Sequence, residues 1–82
     1  MISLYSICRK LEEKLEAIEE RMEWLEEKMS DLEDHAEEMD REMTDKEQEK
    51  YEQYDQEHSD LEDEHYVVEC ALQDLYQYDE EN

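Results

Sequence analysis

The chain has 82 residues, room for one small domain, and a chain this short buries little apolar surface per residue when it folds alone. Charged residues make up 46% of it, and thirty acids against eight bases give a formal net charge of -22. Such a surface repels DNA, RNA and anionic lipid, which argues against direct nucleic-acid or membrane binding, and it attracts basic proteins.

High charge with low hydrophobicity is also the usual signature of disorder, so order has to be argued from pattern. Gly, Pro and Phe are absent. Nothing breaks a helix interior, and no Gly supplies the positive φ of a tight turn. Glu, Lys, Arg, Leu, Met and Gln are all good helix formers. The composition predicts helix nearly from end to end, within a single domain over residues 1–82.

The opening run Met1–Cys8 is interrupted by two serines and is too short to span a bilayer or act as a secretory signal. Cys8 and Cys70 make neither a disulfide framework nor a zinc spacing. The expected setting is soluble and intracellular, in the cytoplasm.

The first predicted helix covers about residues 2–43. Leu4, Leu11, Ile18, Leu25, Leu32 and Met39 repeat as d positions of a heptad. Cys8, Leu15, Met22, Met29, Ala36 and Met43 are its a positions. A disordered acidic tail would show no such seam. Continuing the frame would place Lys46 and Lys50 in it, so the frame fails there.

Thr44-Asp45-Lys46-Glu47 is a capping box, in which Thr44 bonds the Glu47 amide and Glu47 reaches back. Asp45 and Glu47 suit the positive end of a new helix. The second predicted helix covers about residues 45–79. Its stripe is one residue out of phase with the first: Tyr51, Tyr54, His58, Leu61, His65, Val68, Leu72 and Leu75.

Two all-α architectures fit the break. In an antiparallel helical hairpin, residue i faces roughly residue 88 minus i, and Leu75 lies beside Lys14. In one long helix, the spacing from Met43 through Glu47 and Tyr51 to Tyr54 is a stutter in a parallel coiled coil. At about 1.5 Å per residue that rod approaches 120 Å.

The e and g charges suit a parallel dimer, with Lys14, Arg21 and Lys28 at g and Glu12, Glu19, Glu26 and Glu33 at e. In a hairpin, Lys28 and Arg21 would meet Glu57 and Glu64, while Glu26 and Glu33 would repel Asp55 and Glu62. The capping box and the length match favour the hairpin.

A homodimer or higher homo-oligomer is expected in either case. Tyr66, Val67, Cys70, Ala71, Tyr76 and Tyr78 lie outside the second seam. Trp24 is at an outward c position, and Ile2, Tyr5 and Ile7 form an apolar end that would project past a folded-back second helix. Clusters at helical spacing mark contact surfaces. The plain reading is a self-association face; the sharper one is a partner patch anchored by Trp24 and Tyr66.

No enzyme is expected, because a two-helix rod supplies ridges rather than a pocket and the Gly-based catalytic motifs are excluded outright. No cofactor or metal is expected either. Glu62-Asp63-Glu64-His65 has the Glu-x-x-His form of di-iron bundles, but no seam position of the first helix is acidic. His58 and His65 read as polar a residues that set register, or as groups that loosen the pairing when protonated.

The acids form rows one helical turn apart. The candidate contact rows are Glu16, Glu20, Glu23, Glu27, Asp31 and Asp34, then Asp60, Glu62, Asp63 and Glu64. Neighbours in such a row lie about 5–6 Å apart, near the spacing of phosphates along one DNA strand. In size, in carboxylate density (Glu19-Glu20, Glu26-Glu27, Glu37-Glu38, Asp60 to Glu64) and in helical build, the chain resembles the small acidic DNA-mimic inhibitors of phages and mobile elements. These include antirestriction and anti-CRISPR proteins. The class shares no signature motif, so no functional residue is carried over. The resemblance implies an inhibitor that occupies the basic channel of a nucleic-acid-binding protein, such as a Cas effector or a restriction enzyme. The other reading is a structural scaffold or adaptor in which the acid gives solubility and the seam acts, through Leu11, Leu15, Ile18, Met22, Leu25, Met29 and Leu32 against Leu61, Val68, Leu72 and Leu75.

Overall fold

Helix α1, Leu4–Glu38, starts where the Ser3 hydroxyl accepts the Ser6 amide at 3.1 Å, an N-cap on one of the donors a helix start leaves without an internal partner. Helix α2, Asp45–Glu81, starts at the predicted capping box. The Glu47 amide donates to the Thr44 hydroxyl at 3.2 Å, and the Thr44 amide donates to the Glu47 carboxylate at 3.1 Å. The structure, a computed structural model, describes residues 3–81, with side chains through residue 78.

The two helices pack on each other as an antiparallel hairpin. Its longest dimension is 61 Å, half that of the continuous rod. The stripes meet as the heptads require. Ile18, Leu25 and Ala36 of α1 are buried with Val68 and Leu72 of α2, and Cys8 closes the seam near the open end. Leu25 is completely covered. Leu11, Leu15, Met22, Met29, Leu32, Leu61 and Leu75 are half-buried, as expected for a seam with only one helix on each side.

The turn differs from expectation, and its position sets the register. Helix α1 ends at Glu38 rather than near residue 43. The Asp40 amide donates to the Glu37 carbonyl at 3.0 Å and the Arg41 amide to the Ala36 carbonyl at 3.2 Å, the paired bonds of a Schellman terminus. Asp40 takes the left-handed conformation that terminus needs, φ 51°. Asp replaces the absent Gly because its short polar side chain tolerates this region better than other side chains. Met39 thus becomes an exposed cap residue instead of a seam residue.

Because the chain folds back earlier than residue 44, α2 slides along α1. Arg21 meets Glu57 and Lys14 meets Glu64. The expected partners were Glu64 for Arg21 and Glu57 for Lys28, so the facing pairs are right in kind and displaced by one heptad. Lys14 is therefore opposite Glu64 rather than beside Leu75. At the open end α2 continues to Glu81, so Tyr5 and Ile7 do not project past it; Ile2 lies outside the described residues. The Tyr51 hydroxyl donates to Glu33, and Tyr54 meets the ring of Trp24.

Candidate functional site

An antiparallel helix pair sets g positions against g positions along one broad face and e against e along the other. Here the two faces are chemically unlike. On the g side, which also carries the c positions, cations and anions are interleaved. Arg21 donates through Nε and Nη2 to both oxygens of Glu57, at 2.5 and 3.1 Å, and Lys14 Nζ is 3.0 Å from Glu64. The forked bond holds the Glu57 carboxyl below its ordinary range and raises the Arg21 guanidinium.

The next rung of the same spacing toward the turn would set Lys28 opposite Lys50. Lys28 instead lies over the Trp24 ring, 5.5 Å from its centroid, and Arg21 lies over it at 4.2 Å. Tyr54 meets the same ring edge-on at 5.8 Å. Trp24 keeps the outward c position expected of it, 37% accessible, while three neighbours contact its ring.

The e side, shared with the b positions, carries carboxylates from both helices. The expected repulsion along it is relieved by a heptad ladder. Glu33 accepts the Tyr51 hydroxyl at 2.9 Å, Glu26 is 3.0 Å from His58 Nε2, and Glu19 is 2.9 Å from His65 Nε2. Glu12 would face buried Leu72 on this spacing; it takes the Tyr76 hydroxyl one turn further on. Each carboxylate raises its tyrosine's pKa, because the bond stabilises the phenol and the negative charge opposes phenolate. The second ring nitrogen of each histidine also faces a carboxylate, Glu62 for His58 at 3.0 Å and Glu69 for His65 at 3.8 Å. The histidines are ties between the helices, set where like charges converge.

The predicted contact rows are split by the fold. Glu16, Glu23 and Glu62 lie on the e/b face, where Glu19, Glu23, Glu26 and Glu62 surround one groove with Met22 and His65. Glu20, Glu27 and Asp34 occupy f positions on the back of α1, and Asp63 the back of α2; all are exposed. Asp31, Asp60 and Glu64 belong to the opposite face, where Glu64 is held by Lys14. Trp24 and Tyr66 are not brought together: Trp24 is on the g/c face, and Tyr66 is on the e/b face of α2, exposed. Sequence reasoning missed Glu12, Glu19, Glu26 and Glu33 as partners of helix α2. The signal was present, since these acids, Tyr51, His58 and His65 all recur every seven residues.

A second groove, at the open end, is lined by Leu4, Tyr5, Cys8, Arg9, Glu12 and Tyr76. Among the described residues, no group of three or more His, Cys, Asp or Glu side chains is placed to hold a metal ion. No helix there is long and apolar enough to cross a membrane. The chain matches no protein-family model, no curated protein and no solved structure.

Proposed function

We propose that this protein is a non-enzymatic acidic inhibitor that uses its e/b face to bind the basic, nucleic-acid-binding surface of another protein. The observation that carries the reading is the segregation of charge. The g/c face holds Lys10, Lys14, Arg21, Lys28 and Lys50, whereas Arg9 is the base among the carboxylates of the e/b face. Acids occur on every face, but the e/b face gathers the most of them with a single base among them, which gives the ligand a direction. Along α1, Glu16, Glu19, Glu23 and Glu26 are spaced by single helical turns, and Glu62 and Glu69 of α2 run beside them. A basic groove that releases counterions on binding phosphates does so equally on binding this array, with the signs exchanged. A DNA-mimic role in phage anti-defence, against a Cas effector or a restriction enzyme in the host cytoplasm, is the setting we infer.

The second reading is a structural coiled-coil scaffold or adaptor, favoured by the unbroken heptads from Leu4 to Ala36. The two separate on affinity capture from bacterial lysate at low and raised salt. Inhibitor action predicts nucleic-acid enzymes that salt releases, that duplex DNA displaces, and that Glu16→Gln, Glu23→Gln and Glu52→Gln, at exposed b positions of this face, together weaken. A salt-resistant catch indifferent to those substitutions sinks the inhibitor reading and leaves the scaffold.

A further inference from the structure

We propose that the g/c face is the contact face of a homodimer, whose occupant is a second copy of this chain stacked on it to form a four-helix bundle. Two chains of charge -22 repel each other strongly over most of their surfaces. On the g/c face the repulsion is weakest, because the bases there stand among Asp31, Glu57, Asp60, Glu64 and Asp74. Exposed apolar groups lie on the same face: Ile7, Trp24 and Val67, which are 38%, 37% and 64% accessible, and Ala17. The face is as long as the hairpin. At 61 by 20 Å it exceeds the roughly 800 Å² per partner of a standard interface.

The c positions decide the arrangement. In the hairpin they flank the g–g pairs and are too far round each helix to meet. Stacking two hairpins about a two-fold axis along their length, with open ends together, lays α1 of one copy over α2 of the other. All neighbouring helices are then antiparallel, as in an up-down bundle. The register seen inside one hairpin pairs Glu19 with His65 and Glu26 with His58. Carried across to the c positions, it sets Lys10 against Asp74 of the second copy and Ala17 against its Val67. Trp24 falls beside the second copy's Asp60, and Asp31 falls near its Gln53 and Lys50. Unlike charges meet at both ends, an apolar pair lies between them, and no rung joins like charges. Lys10 and Lys50 form no ion pair within one copy among the described residues, and both are exposed. A two-fold axis across the hairpin instead lays α1 on α1 and offers neither pairing. In the proposed dimer both e/b faces stay outward, one on each side.

The test is sedimentation equilibrium of the full chain with substitutions on each face. The wild type is expected at twice 10.2 kDa at micromolar concentration. Ala17→Glu or Val67→Glu, both exposed sites that leave the seam untouched, should weaken the dimer at least about tenfold with helix content unchanged by circular dichroism. Glu16→Gln on the opposite face should not weaken it. Lys10→Asp should weaken it, and adding Asp74→Lys should restore it. A 10.2 kDa species at the highest soluble concentration overturns the proposal. So does a dimer indifferent to Ala17→Glu and Val67→Glu. Failure of Asp74→Lys to rescue Lys10→Asp overturns the arrangement argued from the c positions.

Discussion

Arg21 holds Glu57 of the opposite helix through two N–H donors while its guanidinium plane covers Trp24 of its own helix, 4.2 Å from the ring centroid. One side chain thereby ties the two helices and shields the single tryptophan. Lys in its place keeps the charge but loses the planar fork and the stacking surface. Arg21→Lys should lower the melting temperature and red-shift Trp24 emission together, whereas Glu20→Gln, on the exposed back of α1, should do neither. Equilibrium melts followed by tryptophan fluorescence and by circular dichroism check this.

Asp40 occupies a left-handed backbone position in a chain without glycine. Asp40→Gly removes the Cβ conflict there and is expected to stabilise the hairpin by about 0.5–1 kcal/mol. Asp40→Val places a β-branched residue in the same conformation and should destabilise the turn by about 1–2 kcal/mol. Urea titrations of the three proteins measure the order. Small-angle scattering reports whether the valine variant lengthens beyond 61 Å toward the continuous helix.

The Glu47 carboxyl is lowered from 4.5 to about 2, first by the Thr44 backbone amide and next by the Arg41 guanidinium, 2.8 Å away. A carboxyl lowered on folding contributes stability that is complete above its unfolded value and is lost as pH falls through the folded one. The capping box should therefore contribute fully above about pH 4.5 and fade toward pH 2. Glu47→Gln should melt below the wild type at pH 7, and the difference should close toward pH 2. A gap that stays constant across an acid titration contradicts this assignment.

His58 lies between Glu26 and Glu62 with its side chain 14% accessible. His58→Glu puts a third carboxylate into that half-buried position and should cost about 1–3 kcal/mol. His58→Gln keeps a hydrogen-bond donor and should lie close to the wild type. Thermal melts at pH 7 in low and high salt distinguish them, because added salt should recover part of the loss in the first variant only.

The helices, the seam and the start of α2 were legible in the sequence because each is local or periodic. Leu11 through Leu32 repeat without error, and Thr44 and Glu47 are three residues apart, so neither depends on where distant residues meet. The end of α1 was not legible. Met39 and Met43 continue the heptad spacing, and the stop at Glu38 depends on Asp40 taking a conformation that its residue type tolerates without demanding. The preference for opposite charges across the g positions could be read, but not which residue meets which. Register depends on where the chain folds back, and moving that point by a few residues displaced every partner of Arg21 and Lys14.

The acidic rows were legible as rows along a helix; how they divide between two faces was a tertiary outcome. Glu23 and Asp60 read alike in the sequence, yet they lie on opposite faces, because heptad phase and antiparallel pairing together decide which side of the seam each acid occupies. The sequence by itself determined helices, seam and total charge, all properties of near neighbours. Only the packing of α2 on α1 decided that His58 and His65 sit between carboxylates, and that one broad face is acidic while the other mixes both signs.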